Sequence, residues 1–222
     1  DLHSFPTRRS SDLHIAGPEL SSLATHNAAS IRYSAAVGGS APMIEALRTA
    51  AQRGEVRSIA GVLNGTCNYV LDRCIEGLLL NEAVQAAQER GFAEADASED
   101  LSGRDAARKL RVLSRTAFGQ DLAGIEIQAL NTSTLLRSQA ALRANETLRL
   151  IARAWKLDSK VFGQIQLEAL PVDDAFAQTR EEWNRLLITC ADNESIAVSG
   201  RGAGRWPTTE AVMADLIGRA HV

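Results

Sequence analysis

The sequence lacks the features that mark several classes of protein. No apolar stretch is long enough to cross a membrane, and no run of basic residues suggests nucleic acid as a partner. Three cysteines, Cys67, Cys74 and Cys190, are odd in number and show no CxxC spacing. This argues against a disulfide framework or a structural zinc site and favours a reducing compartment, so we expect a cytoplasmic protein. Repeats and low-complexity segments are also absent.

The composition is that of a globular protein. The chain has 222 residues, of which 45% are hydrophobic and 23% charged, with a net charge of -3. This length allows one large domain or two small ones with a sizeable core.

The first 13 residues, DLHSFPTRRSSDL, do not resemble part of a natural fold. A nucleotide string similar to a common sequencing adapter encodes them in one reading frame. A targeting peptide is the alternative, but such peptides are normally poor in acidic residues, and Asp1 and Asp12 are present. We therefore expect residues 1–13 to be an adapter-like artefact and the natural chain to begin well before His14.

Glycine and proline mark the elements that follow. The pattern predicts a strand at residues 30–36 and then a tight glycine turn, which fits neither GxGxxG nor GxxxxGK[ST]. Pro42 suits the first turn of a helix that Gly54 ends. Residues 56–63 alternate like a half-buried strand. A turn at residues 64–66 then leads into the next helix.

Two more helices are predicted before Gly119. Asn81 is expected to cap the first of them. The second is expected over residues 102–118, with an apolar stripe that faces the core. Cys67 and Cys74, two turns apart on the preceding helix, are expected to fill the core as well.

Strands predominate beyond Gly119. After a helix at residues 132–144, strands are predicted at residues 147–156, 160–169, 183–190 and 195–199. Neighbouring strands joined by hairpins predict a fold of the α/β class and the α+β type. We expect a mixed, largely antiparallel sheet with helices packed on one face.

The most informative stretch is GFAEADASEDLSGRDAARK, residues 91–109. If a helix begins near Ser102, Asp105 and Lys109 lie one turn apart on one face, while Asp100 and Glu94 approach from the preceding loop. A solvated helix start is the alternative, because acidic residues are favoured there. For Asp96 and Glu99 we expect that solvated role.

Four motifs, in order and at plausible separations, resemble those of homoserine dehydrogenases: AAVGGSAPMIEALR, GVLNGTCNYVL, GFAEADASEDLSGRDAARKL and GRGAGRWPTTEAVMADL. The resemblance runs from about Ala16 to the C-terminus. It implies an enzyme that interconverts L-homoserine and L-aspartate 4-semialdehyde with NAD(H) or NADP(H), in threonine and methionine biosynthesis. It also implies a homodimer that forms through the sheet.

The resemblance implies a role for each matching residue. Lys109 matches the proton donor and acceptor, and Asp105 the carboxylate that binds substrate and positions the lysine. Glu94 matches the acid that holds homoserine, and Asp100 and Thr66 fall where further substrate contacts are expected. The chemistry agrees, because an ammonium can stabilise and protonate the alkoxide that hydride addition leaves, and the amino group of homoserine needs a carboxylate partner.

The family also uses a sodium-like cation, which the resemblance places at the carbonyls of Val37, Gly39 and Ala41. Ser34 stands where the family usually has a glutamate, and a hydroxyl is a weaker ligand for a hard cation than a carboxylate. Phe92 replaces a tyrosine of the family and lacks its hydroxyl.

The GxGxxG fingerprint of the family's nucleotide-binding domain is absent from this sequence. We expect a remnant of that domain and a linker at residues 14–29, and a catalytic and dimerisation domain at residues 30–199. At residues 200–222 we expect a glycine-rich loop and a helix that return to the nucleotide-binding domain. Gly91 and Gly204 match positions beside the cofactor.

The 222-residue chain is accordingly expected to bind NAD(P) weakly or not at all and to turn over negligibly. A non-catalytic, dimer-forming interaction module is the rival interpretation. A parent protein that also carried an aspartate kinase is a third.

Overall fold

The computed structural model describes residues 34–140 and 142–202. In chain order the elements are α1 (Ser34–Gly38), α2 (Met43–Arg53), β1 (Val56–Val62), α3 (Gly65–Ile75), α4 (Leu80–Glu89), α5 (Ser98–Leu101), α6 (Arg104–Phe118), β2 (Leu122–Ile127), α7 (Thr132–Ala140), β3 (Glu146–Leu157), β4 (Lys160–Pro171), β5 (Trp183–Cys190) and β6 (Ser195–Arg201). None of these helices is long and apolar enough to span a bilayer.

The six strands form one sheet in the order β2-β4-β3-β1-β5-β6. Only the β2–β4 pair is parallel, and the four other neighbouring pairs are antiparallel. The long β3–β4 hairpin turns through Asp158, whose φ of 54° lies in the left-handed region that Asp tolerates better than most residues. The predicted mixed, largely antiparallel sheet is confirmed.

The main core lies between the helices and one face of the sheet. Alternate residues of β3, such as Leu148 and Leu150, point into it and meet apolar residues of the helices. Leu110 and Leu113 of α6 are fully buried there, as their helical spacing predicts. The same core contains the buried cysteines Cys67, Cys74 and Cys190. All three are free thiols.

The opposite face of the sheet carries a smaller cluster, in which Ile151 meets Phe176 of the β4–β5 connection. Arg149, also on β3, is completely buried and fastens this connection. Its guanidinium donates hydrogen bonds to the carbonyls of Ala177 and Thr179 and forms an ion pair of 2.9 Å with Asp72 of α3. The connection is therefore fixed to the sheet and to α3 together.

Several sequence predictions need correction. The strand predicted at residues 30–36 is wrong from Ser34 onward, where α1 begins; two alanines follow Ser34, and alanine is the residue with the highest helix propensity. Residues 30–33 lie outside the described part. Asn81 does not cap α4, which begins one residue earlier, and the Glu82 carboxylate accepts the Leu79 N–H instead. Neither β2 nor the short α5 was predicted.

Candidate active site

The loop between β1 and α3 forms the floor of the candidate site. Asn64 caps α3, because its side-chain oxygen accepts the Cys67 N–H at 2.7 Å. The amide nitrogen of the same side chain donates to Asp100 Oδ1 at 2.6 Å and to Asp105 Oδ2 at 2.8 Å. One buried side chain thus connects three helices.

A left-handed turn brings the two aspartates together. Asp100 lies in α5 and Asp105 in the first turn of α6, and Gly103 between them has a φ of 75°. Glycine adopts this conformation without the steric cost that a Cβ would impose. A Cβ at Gly103 would also lie 2.8 Å from the side chain of Ile127. The reversal of the chain at Gly103 therefore lets both carboxylates reach Asn64.

Lys109 completes the cluster from the next turn of α6. Its Nζ lies 2.7 Å from Asp105 Oδ2 and donates to the Leu63 carbonyl at 3.2 Å. The side chains of Lys109 and Asp105 are only 15% and 13% exposed. The predicted pair one helical turn apart is therefore formed, and it is mostly shielded from water.

The two carboxyl groups differ in their affinity for a proton. Burial raises the pKa of Asp100, and the charges of Asp105 and Glu94 add to that effect, while the hydrogen bond from Asn64 opposes it. Burial would also raise the pKa of Asp105, but the charge and hydrogen bond of Lys109, with the hydrogen bond from Asn64, outweigh it. The pKa of Asp105 consequently falls below its ordinary value, and the Asp105 carboxylate stays charged beside the ammonium.

The other predicted substrate residues lie at the rim. Glu94 is exposed on the loop after α4, where its carbonyl accepts a hydrogen bond from Gln88 at 3.1 Å. Thr66, in the first turn of α3, is buried, and its hydroxyl donates to the Phe92 carbonyl at 2.7 Å. This bond ties the loop that carries Glu94 to the start of α3. Glu94 thus faces solvent beside the buried cluster.

Asp96 and Glu99 belong to the surface instead. The Asp96 carboxylate accepts the Ser98 N–H at 2.9 Å, at the start of α5. Glu99 forms ion pairs with Arg104 and Arg108. None of these contacts reaches Lys109.

Of the residues predicted to surround a cofactor or a cation, the structure describes Gly91, Val37, Gly39 and Ala41. Gly91 is exposed with a φ of 73°, and Gly204 lies outside the described residues. Val37 is buried near the end of α1, and Gly39 and Ala41 are buried in the turn that follows. The Ala41 carbonyl already accepts the Met43 N–H at 2.8 Å. In the described part of the chain, no group of three or more His, Cys, Asp or Glu side chains could hold a metal ion.

Two residues of the cluster were not predicted as members. Asn64 was expected only in a turn, although asparagine directly before a helix is a known capping signal. Cys67, expected only in the core, donates its thiol to the Asp100 carbonyl at 3.2 Å. Burial, followed by the charges of Asp100 and Asp105, raises the pKa of this thiol well above its ordinary value and so disfavours the nucleophilic thiolate.

The arrangement suits proton transfer at a polar substrate. A lysine ammonium anchored by a carboxylate can donate a hydrogen bond and a proton to an oxygen on which negative charge develops. Nearby carboxylates at the rim can bind a cationic group of the same molecule.

The family model and the curated relatives that match this chain are all homoserine dehydrogenases. Residues 42–217 match the family described as homoserine dehydrogenase. The homoserine dehydrogenase of Synechocystis sp. is 33% identical over 211 residues, which cover 90% of this chain and 48% of that protein. The chain spans about half the length of the curated relatives it matches.

Solved structures agree with the sequence comparison. The crystal structure of a homoserine dehydrogenase from Thiobacillus denitrificans superposes with a TM-score of 0.81 at 27% identity, over 92% of this chain and 48% of that chain. A hyperthermophilic archaeal homoserine dehydrogenase in complex with NADPH gives a TM-score of 0.76 at 25% identity, over 92% and 60% of the two chains.

Proposed function

The chain belongs to the homoserine dehydrogenase family, and we propose that it supplies the substrate-binding and acid–base part of an NAD(P)-dependent enzyme. That enzyme interconverts L-homoserine and L-aspartate 4-semialdehyde, in threonine and methionine biosynthesis in the cytoplasm. The observation that carries the proposal is the pair of Lys109 and Asp105, which is mostly shielded from water and held by Asn64 and the Leu63 carbonyl. A solvated helix start would not need these contacts.

Lys109 is assigned the proton transfer. A bound nicotinamide cofactor would supply a hydride to the aldehyde carbon, which would leave negative charge on the aldehyde oxygen. The ammonium of Lys109 stabilises this charge and donates the proton, while Asp105 keeps the amine oriented. In the oxidative direction a neutral Lys109 accepts the hydroxyl proton of homoserine.

The carboxylates are assigned the binding of the substrate's amino group. Glu94 at the rim binds the ammonium of homoserine, and Asp100 and Thr66 contribute further contacts. Support comes from the charge of Glu94, which lies near enough to raise the pKa of Asp100. Two carboxylates whose negative charges repel each other favour a cation between them.

Homoserine binding can be measured directly on the 222-residue chain by calorimetry. We expect Glu94→Gln to weaken it by about tenfold or more, because a charge-assisted hydrogen bond contributes about 1.5–3 kcal/mol. Glu126→Gln is the matched control, since Glu126 is also exposed but lies on β2. If the chain stays folded and its wild type shows no homoserine binding at millimolar concentrations, the substrate assignment is wrong.

Tight NAD(P) binding is proposed to need a nucleotide-binding motif in addition to these 222 residues. Gly91 and Gly204 are assigned backbone positions beside the cofactor. At Gly91 no described atom lies within 4 Å of the position of a Cβ, so a planar ring could approach the backbone. The sequence has no GxGxxG, so we expect weak or absent NAD(P) binding and negligible turnover by the 222 residues alone. A fluorescence titration that shows tight NADPH binding would contradict this.

A cation at the Val37, Gly39 and Ala41 carbonyls is proposed to bind weakly. All three ligands are neutral, and Ser34 replaces the carboxylate expected from the family. The melting temperature in sodium chloride should therefore equal that in choline chloride at the same ionic strength. A higher melting temperature that appears only with sodium would show a stronger site.

A homodimer is proposed to form through the sheet face opposite the helices. Trp155 of β3 and Phe162 of β4 are cross-strand partners on that face, and both are half-buried. Sedimentation should give a dimer for the wild type and a monomer for Trp155→Glu. A wild type that sediments as a monomer at micromolar concentration would contradict the assignment.

A further inference from the structure

Asn64 uses both N–H donors and the oxygen of its side-chain amide in hydrogen bonds. Both amide hydrogens go to carboxylates, one on α5 and one on α6, and the amide oxygen accepts from the start of α3. The side chain is 5% exposed. Its geometry is therefore fixed from three sides.

Helix capping alone does not require asparagine at this position. Serine and aspartate cap about as well as asparagine, and threonine caps somewhat less well, since capping needs only a side-chain acceptor. What distinguishes asparagine is the pair of N–H donors on the same group. Aspartate would bring a third carboxylate against two others, and serine offers at most one donor. The identity of residue 64 is thus matched to the two carboxylates.

The two aspartates need such a donor because two carboxylates of like charge reach the same amide group. The charge of Asp105 raises the pKa of Asp100, and the Asn64 hydrogen bond lowers the pKa of both carboxyl groups. Asp105 must be ionised to hold the Lys109 ammonium, and Asp100 must be ionised to attract a substrate amine.

We propose that Asn64 is a positioning residue, which holds Asp100 and Asp105 side by side as carboxylates and so orients Lys109 and the substrate amine. This inference rests on the proposed function for the role of the two aspartates. The hydrogen-bond arrangement itself does not depend on that function.

The test separates the donor role from the cap by replacing Asn64 with serine in the full chain. Asn64→Ser keeps an acceptor for the Cys67 N–H, so we expect a melting temperature close to that of the wild type. The pKa values of Asp100 and Asp105, measured by carboxyl carbon NMR, should each rise by about one unit, because hydrogen bonds to charged groups are lost. Homoserine affinity should then fall by about tenfold at the acidic end of its pH profile.

Two further variants complete the design. Asn81→Ser is the control, since Asn81 is an exposed asparagine near the start of α4 and should change neither the titrations nor the affinity. Asn64→Thr also keeps the cap and replaces Asn64→Ser if that variant fails to fold.

Unchanged pKa values of both aspartates in a folded Asn64→Ser or Asn64→Thr chain would overturn the inference and leave Asn64 as a cap only. The NMR titration needs no ligand. A wild type that binds no homoserine would therefore contradict the proposed function, while the titrations still decide the role of Asn64.

Discussion

The Asp105–Lys109 pair provides the most quantitative prediction. The two charged atoms are 2.7 Å apart, and an effective dielectric constant of about 20 gives an attraction of about 6 kcal/mol. That value is a ceiling, because taking both groups out of water costs several kcal/mol. An exposed pair with the same helical spacing contributes about 0.3–0.5 kcal/mol. For side chains only 13% and 15% exposed, we expect a net coupling of about 1–2 kcal/mol.

A double-mutant cycle measures this coupling. The proteins are the wild type, Asp105→Asn, Lys109→Met and the double variant, and urea unfolding followed by circular dichroism gives the free energy of unfolding of each. Asparagine and methionine nearly keep the size of the original side chains, so the cycle isolates the charge interaction.

The coupling should also depend on pH in a defined direction. The pKa of Asp105 is lower in the fold than its ordinary value of about 3.9. Its contribution to stability is therefore fully present above that ordinary value and is lost as the pH falls through the pKa of the folded state. We expect the coupling to be largest near pH 7 and smaller at acidic pH. A coupling below about 0.3 kcal/mol at pH 7, or one that grows on acidification, would refute a charge interaction shielded from water.

Two other predictions concern the stability of the fold. Arg149→Leu should lower the free energy of unfolding by about 3–5 kcal/mol in urea unfolding, because Asp72 is left buried without its partner; a loss below about 1 kcal/mol would contradict this. Gly39→Ala should cost at least 1–2 kcal/mol, since φ is 60° and a Cβ would lie 2.4 Å from the Arg201 carbonyl. Gly54→Ala, in open space, is the control and should be nearly neutral, and equal losses would refute the steric argument.

Contacts within one helix were the part of the site that sequence could predict. Asp105 and Lys109 are four residues apart, and helical geometry alone places them together. The strands of the β3–β4 and β5–β6 hairpins were predictable for the same reason, since alternation and turn residues are local signals. The position of Glu94 relative to the cluster came only from the family resemblance, and its role stays a prediction.

Contacts across the chain were not predictable from local signals. Asn64 lies 41 residues before Asp105, and nothing in NGT indicates that its amide meets two carboxylates. The edge strand β2 was missed because Gly124 and a register shift interrupt its alternation. The strand predicted at residues 30–36 was wrong from Ser34 onward, because a short alanine-containing segment fits a helix as well as a buried strand.

The central claim, that Lys109 carries the proton in homoserine oxidation, is tested most directly by turnover. The chain is fused to the nucleotide-binding domain of a relative such as that from Synechocystis, and homoserine oxidation is followed with NAD+ and with NADP+. Lys109→Ala should lower kcat by about 10²- to 10⁴-fold. Lys156→Ala, which removes an exposed lysine paired with Glu55, should leave it unchanged. A fused enzyme that turns over equally fast with alanine at position 109 would contradict the account.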